Sequence, residues 1–324
     1  MDQTLQERVR RALRIPWVGP LLALIAVYLL FVALRPDTFT RTSNLVTMAR
    51  QTVVVGIATV GMTLVIVQGG IDLSVGSSVA LTSVITAKLL LNGHSPALAC
   101  TVGILAATVC GAINGALIAR GKLLAFIVTL GTMSALRGAA KGLANEQKID
   151  APARGLDALL APLPPSRAWM LVPPGVWIAI AIAILFAWIL RSTRFGRHVY
   201  AIGSNELTAR LCGVRVERVK ILVYALAGLL AGVAGVMSFS NLTVGDPTTS
   251  VGLELDVIAA VVIGGGSLSG GEGSILGAIF GACLLTVVKT GSTYVGLPNW
   301  VQEILTGGII LAAAGLDRLR QRAR

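Results

Sequence analysis

Few residues in this chain have the types and spacing for chemistry, and most of those offer hydrogen bonds rather than nucleophiles or bases. Gln68, Asp72, Ser74, Asn114 and Phe126 put an amide, a carboxylate, a hydroxyl, a second amide and a ring near glycine-rich turns. That mixture suits a path for a polyhydroxylated solute, which needs hydrogen-bond partners at its edge and an apolar surface for its ring face. The same residues also suit plain helix–helix hydrogen bonding inside a membrane, worth about 0.6 kcal/mol per pair. Both readings stand at this level. Arg137 and Lys141, four apart on one helical face, either snorkel toward outer headgroups or place Arg137 against a protein-lined cavity. The second arrangement matters because a central cation costs about 2.5–3.5 kcal/mol on insertion scales. Lys88 and Lys289 lie close enough to the ends of apolar runs for snorkelling to suffice. His94 and His198 fall in loops, which disfavours a histidine metal site. Cys100, Cys110, Cys212 and Cys283 lack paired or ligand spacing and read as small buried thiols. A membrane-embedded enzyme has no clustered nucleophile, base or ligand set to build on.

One string invites a different chemistry. LSGGE at 268–272 matches the signature of ABC-type ATPases, but a phosphate-cradling GxxxxGK[ST] loop is missing: Gly121-Lys122 is followed by Leu123, and Gly115 stands one place too far upstream. The chain therefore does not hydrolyse ATP by that chemistry, and its energy comes from a partner or an ion gradient. A gradient-driven carrier places acids or histidines at mid-membrane as relays. Here Asp72, Glu254, Asp256 and Glu303 all lie close to the ends of apolar runs, which disfavours a carrier.

The elements that must position these groups are apolar. Over 324 residues the chain is 55% hydrophobic and 13% charged, and several runs approach the ~20 residues that cross a bilayer. The expected fold is an all-α, polytopic transmembrane bundle of about ten spans, near 17–34, 51–67, 75–91, 96–118, 123–143, 173–190, 221–242, 255–264, 274–290 and 301–316. The first resembles a signal anchor, but no small-residue cleavage site follows it, so it counts as a span. The whole of 1–324 reads as one transmembrane domain, with a cytoplasmic segment 1–16, a loop 191–220 and a basic tail 317–324. With the N-terminus inside, 17 of the 27 Lys and Arg fall on inner segments, seven on outer segments and three within spans. Both ends then belong in the cytoplasm. The net charge of +12 is spread between apolar runs rather than on one face, so membrane topology accounts for it and a nucleic-acid partner is not expected.

Within that frame, the outer segment 144–172 is broken by Pro152, Pro162, Pro164 and Pro165 and reads as a structured cap or loop. QGGIDLSVGSS at 68–78 and GGGSLSGGEG at 264–273 join apolar runs without any Lys or Arg. Such non-helical backbone near membrane depth must be buried in protein or line a wet cavity. The two align at an offset of 195, Gly69 with Gly264 and Ser74 with Ser269 among five identities, a weak internal repeat of the kind expected where interrupted helices face a transport path. Gly228, Gly232 and Gly235, like Gly277 and Gly281, recur on helical turns and read as close-packing positions.

The longest charged break is 191–220, with seven cations against Glu206 and Glu217. Within it Ser204 or Asn205 can cap a short helix, Glu206 suits the helix's positive end, and Gly213 can end it. The segment is either a docking element on the cytoplasmic face or a solvated connector that fixes topology.

Four stretches in this order, VGMTLVIVQGGIDLSVGSSVALT (60–82), NGALIARGKLLAFIVTLGTMSALRG (114–138), ELTARLCGV (206–214) and ELDVIAAVVIGGGSLSGGEGSILGA (254–278), resemble the ribose/xylose/galactose-type permeases of bacterial ABC importers. The likeness runs from about Asn44 to near Asp317. It implies a pentose or hexose permease of the inner membrane and a docking role for the Glu-x-x-Ala-x-x-x-Gly core matched by Glu206, Ala209 and Gly213, with Arg210 inside it. It also implies a separate ABC ATPase subunit that binds the ATP, no cofactor on this chain, a periplasmic sugar-binding protein and a second permease chain, identical or paralogous. Where relatives often have Pro-Phe, Ala125 precedes Phe126, which puts the approach to the fifth span in question.

Overall fold

The computed structural model describes residues 17–322. The basic segment 1–16 and the last two residues lie outside the described residues. The helices are α1 (Val18–Leu34), α2 (Thr42–Val67), α3 (Val75–Leu91), α4 (Pro96–Ala119), α5 (Ala125–Leu143), α6 (Pro174–Ser192), α7 (Arg194–Ser204), α8 (Glu206–Leu211), α9 (Val216–Leu242), α10 (Leu253–Ile263), α11 (Ile275–Val295) and α12 (Asn299–Arg322). Among the described residues, α2, α4, α6, α9 and α11 are each long and apolar enough to cross a membrane, and α1 and α3 are shorter apolar helices. The chain is a helical, multi-pass membrane protein.

Several expected boundaries shift, α12 running to Arg322 through most of the expected basic tail, and two of the shifts bear on the site. α2 starts at Thr42 rather than 51, because Thr and Ser residues at its head are as compatible with a helix as the apolar run that follows. The span expected at 255–264 is α10, only 11 residues long. At 1.5 Å per residue it covers about 16 Å, half of a ~30 Å hydrocarbon core. The preceding loop 246–252 packs against the head of α3. A Cβ on Gly76, near the head of α3, would stand 2.5 Å from the Ser250 carbonyl oxygen and 2.6 Å from Glu254 Oε2.

α9 is the central helix, packed on α2, α3 and α4. Its small residues make this possible. A Cβ on Gly228 would lie 3.1 Å from the Gly111 Cα, one on Gly232 would lie 2.8 Å from the Ile104 Cα, and one on Gly235 would lie 2.6 Å from the Thr82 Cβ. The first two face α4 and the third faces α3. Gly277 and Gly281 of α11 face the backbone of α10 in the same way. These glycines are packing positions, as their spacing predicts, because close backbone approach replaces the hydrophobic drive that lipid cannot supply.

The cap formed by 144–172 is ordered by contacts rather than by long helices. β1 (Ile149–Asp150) pairs antiparallel with β2 (Val244–Gly245), Leu160 is fully buried, and the Arg50 Nε donates to its carbonyl oxygen. Two lysines expected to snorkel have protein partners instead: Lys88 Nζ donates to the Leu143 carbonyl at 2.9 Å, and Lys289 Nζ pairs with Asp256 Oδ2 at 2.5 Å. The cysteines are less buried than their apolar surroundings suggest. Cys100, Cys110 and Cys283 are half-buried and Cys212 is exposed.

Candidate solute path and docking surface

α2 and α10 both end in the same turn, and glycine is the reason. After α2, Gly69 takes φ +84°, its N–H donates to the Ile66 carbonyl, and the Gly70 N–H donates to the Val65 carbonyl. After α10, Gly265 takes φ +87°, its N–H donates to Val262 and the Gly266 N–H to Val261. This double bond pattern with a left-handed residue is the Schellman close of a helix, which satisfies carbonyls that otherwise lack partners. The two breaks therefore correspond at an offset of 196, one more than the sequence identities suggest. Gln68 then matches Gly264.

A buried polar knot follows the first break. Asp72 Oδ1 accepts from the Ser74 backbone N–H at 2.9 Å and from Ser74 Oγ at 2.6 Å. Asn114 Nδ2 of α4 donates to Ser74 Oγ at 3.1 Å. Two further residues support the turn: Thr129 Oγ1 and Tyr224 Oη each donate to the Ile71 carbonyl at 3.3 Å. Sequence reasoning missed both, although Thr129 lies one turn beyond Phe126 and Tyr224 in α9 faces the glycines of α4. Gln68 is 4% exposed and both its amide atoms lack a partner, as does Asn114 Oδ1. Buried amides with free capacity are what a hydroxyl-rich solute can engage, and orphaned polar atoms are costly otherwise.

Beside Gln68 opens a cavity of about 340 Å³, lined among others by Gly70, Ala125, Tyr224, Lys122, Lys220 and Glu206. It joins Gln68 and Tyr224 to the charged residues of α8 and α9, while Asp72, Ser74 and Asn114 lie outside its lining. Ala125, the departure from the family pattern, is on its wall. Phe126 is not: its side chain is 53% exposed, on the outer surface of α5 with Ile127 and Leu130. Arg137 also stands apart from the knot. Its Nη1 donates to the Pro247 carbonyl at 2.9 Å and the Thr249 carbonyl at 2.7 Å. Rather than snorkelling, it ties α5 to the loop before α10.

The basic segment 191–220 folds into two helices, where one was expected. α7 buries Gly196, Val199 and Ile202. α8 is capped by Asn205, whose side-chain oxygen accepts from the Thr208 N–H at 2.8 Å; Ser204 ends α7 instead. Gly213, at φ +83°, closes α8 with the same Schellman turn, donating to Arg210 while Val214 donates to Ala209. Ala209 is buried, so it seats the helix on the bundle. Glu206 Oε2 pairs with Lys220 Nζ at 2.6 Å and Glu206 Oε1 with Arg210 at 3.5 Å. Arg210 also pairs with Glu217, whose hydrogen bond and charge raise the guanidinium above its ordinary range. Beside the exposed Glu206, Thr208 and Arg210, two leucines also point outward: Leu207 is 68% and Leu211 80% exposed. Four apart, they lie on one face, and sequence reasoning passed over both.

A glycine-broken helical membrane bundle with a buried polar knot and a capped helix at its charged end has the build of a membrane transport component. The family model described as "branched-chain amino acid transport system / permease component" matches residues 44–314, and the chain belongs to that family. It is 38% identical to the ribose import permease protein RbsC of Bacillus subtilis (strain 168), covering 98% of this chain and 97% of that protein. It is 39% identical to RbsC of Escherichia coli (strain K12), covering 93% of each. With the L-arabinose ABC transporter permease protein AraH of Azospirillum brasilense it shares 37% identity over 83% of this chain and 78% of that protein. No solved structure matches.

Proposed function

We propose that this chain is the membrane-spanning subunit of an ATP-driven importer that moves a pentose or hexose into the cytoplasm. The observation that carries the reading is α8, a capped helix offering Leu207 and Leu211 outward, in a chain that aligns almost end to end with ribose import permeases. A separate ABC ATPase subunit binds and hydrolyses the ATP and receives α8. A periplasmic sugar-binding protein delivers the solute, and a second permease chain completes the pore. Ten passes through the bacterial inner membrane, with both termini cytoplasmic, agree with the charge bias and with the gathering of the α2, α7 and α10 ends near α8. Solute selection rests mainly on the delivery protein, while Gln68, Asp72, Ser74 and Asn114 line or shape the path.

The chain reconstituted alone neither hydrolyses ATP nor concentrates sugar. With its partners, uptake continues when proton and sodium gradients are dissipated at high ATP. A gradient-driven carrier would stop under those conditions, and uptake that stops would overturn the reading.

A further inference from the structure

The two broken-helix turns touch each other, and the end of α7 is wedged against both. The Val67 carbonyl, one of those left without a partner at the end of α2, accepts from the Gly271 N–H at 2.8 Å. Gly203, in the last turn of α7, sits against the same pair. A Cβ there would collide with the Val67 oxygen and stand 2.5 Å from the Gly271 nitrogen. A Cβ on Gly270 would stand 2.8 Å from the Gly203 oxygen and 2.9 Å from the Gly69 Cα. One turn earlier, Tyr200 Oη donates to the Gly273 carbonyl at 2.7 Å. Asn205 alone separates α7 from α8.

We propose that the last turn of α7, pinned by Gly203 and Tyr200, is the member that carries movement of α8 to both broken-helix turns, so that the two turns shift together. The inference rests on the importer reading. The physical reason is stiffness. Where backbone meets backbone no side chain can change rotamer to absorb a displacement, and packed interiors transmit strain. The competing route runs from α8 into α9 through the four-residue link 212–215 and the Glu206–Lys220 pair, one of the partly exposed ion pairs that typically contribute 0.2–1 kcal/mol. Such a link stretches before it pulls. Gly203 and Tyr200 are thus positioning residues, acting on the solute path through Val67, Gly271 and Gly273.

The test is the number of sugar molecules imported per ATP hydrolysed, measured in proteoliposomes holding the full complex with its delivery protein. Gly203→Ala should lower this ratio at least tenfold and Tyr200→Phe about threefold, with the subunits still co-purifying in their normal proportion. Gly19→Ala, where nothing lies within 4 Å of the added methyl, should leave the ratio as it was. A merely structural loss would lower the amount of complex, not the ratio. If Gly203→Ala fails to assemble, Tyr200→Phe decides, since it keeps the ring and deletes only the hydroxyl. An unchanged ratio in the assembled Tyr200→Phe complex, or a larger fall in Lys220→Met than in Tyr200→Phe, would overturn the proposal. If the unmodified complex shows no ATP-dependent uptake, the importer reading fails instead.

Discussion

Lys220, in the first turns of α9, holds Glu206 at the head of α8 with Nζ 2.6 Å from Oε2. Both side chains keep contact with solvent, at 18% and 45% exposure, so the pair orients α8 more than it stabilises the fold. Glu206→Gln should therefore change stability by less than about 1 kcal/mol and leave uptake within twofold. Glu206→Lys is different in kind, because it sets a third cation against Lys220 and Arg210. Uptake should fall at least fivefold with normal membrane levels on immunoblot, and the added Lys220→Glu change should restore most of it. Normal uptake in Glu206→Lys alone would reduce the segment to a connector.

The outward face of α8 makes a sharper demand. Leu207 and Leu211 expose 68% and 80% of their surface in a helix whose polar groups are largely paired with one another. Fully burying a leucine side chain contributes about 1.5–3 kcal/mol. Replacing both with Lys should cut co-purification of the ATPase subunit more than tenfold while leaving insertion intact. Full recovery of the ATPase with the doubly substituted chain would place the docking contact elsewhere.

Much of this was legible in the sequence where one residue type has one physical use. Gly69 and Gly265 adopt positive φ at helix ends that the hydrophobic pattern marks, Gly213 does so at the end that the capping residues mark, and of the two candidate caps, Ser204 and Asn205, it is Asn205 that caps α8. The register between the two breaks was misread by one because glycine identities were aligned, whereas the turn is defined by the left-handed position. α7 was missed because its buried face is only Gly196, Val199 and Ile202, a three-residue stripe hidden among arginines. Exposure was the least legible property. Phe126 reads in the sequence as a stacking ring for solute, and it lies outside the cavity and 53% exposed on the single chain, because nothing in one chain's pattern fixes which side of a membrane helix meets a neighbour.

The knot at the α2–α3 break offers a stability prediction. Ser74 Oγ both donates to Asp72 Oδ1 and accepts from Asn114 Nδ2, and Asn114 is fully buried with its Oδ1 already unpartnered. Ser74→Ala removes the one side-chain bond that Asn114 makes among the described residues. Leaving a buried amide unsatisfied costs about 1–3 kcal/mol, so the detergent-solubilised chain should lose several degrees of thermal midpoint. Ser74→Ala together with Asn114→Leu should recover part of that loss, because the orphaned group is then gone. A double variant no better than the single one would show that the bond is not what the knot depends on.

Arg137 provides the last test, because two carbonyls on a looping segment depend on one guanidinium. Its Nη1 spans the Pro247 and Thr249 oxygens at 2.9 and 2.7 Å, holding 246–252 where it meets the head of α3. Lys carries the same charge but is a compact ammonium on a flexible stem rather than a planar, pre-organised fork, so Arg137→Lys should keep the chain folded with a loosened loop. Arg137→Met removes both bonds, and a loss of roughly 2–3 kcal/mol is expected for hydrogen bonds made by a charged donor. Limited proteolysis from the outer face should then cleave within 246–252 slowly in the unmodified chain, faster in Arg137→Lys and fastest in Arg137→Met. Equal cleavage in all three would return Arg137 to the snorkelling role that its position alone allows.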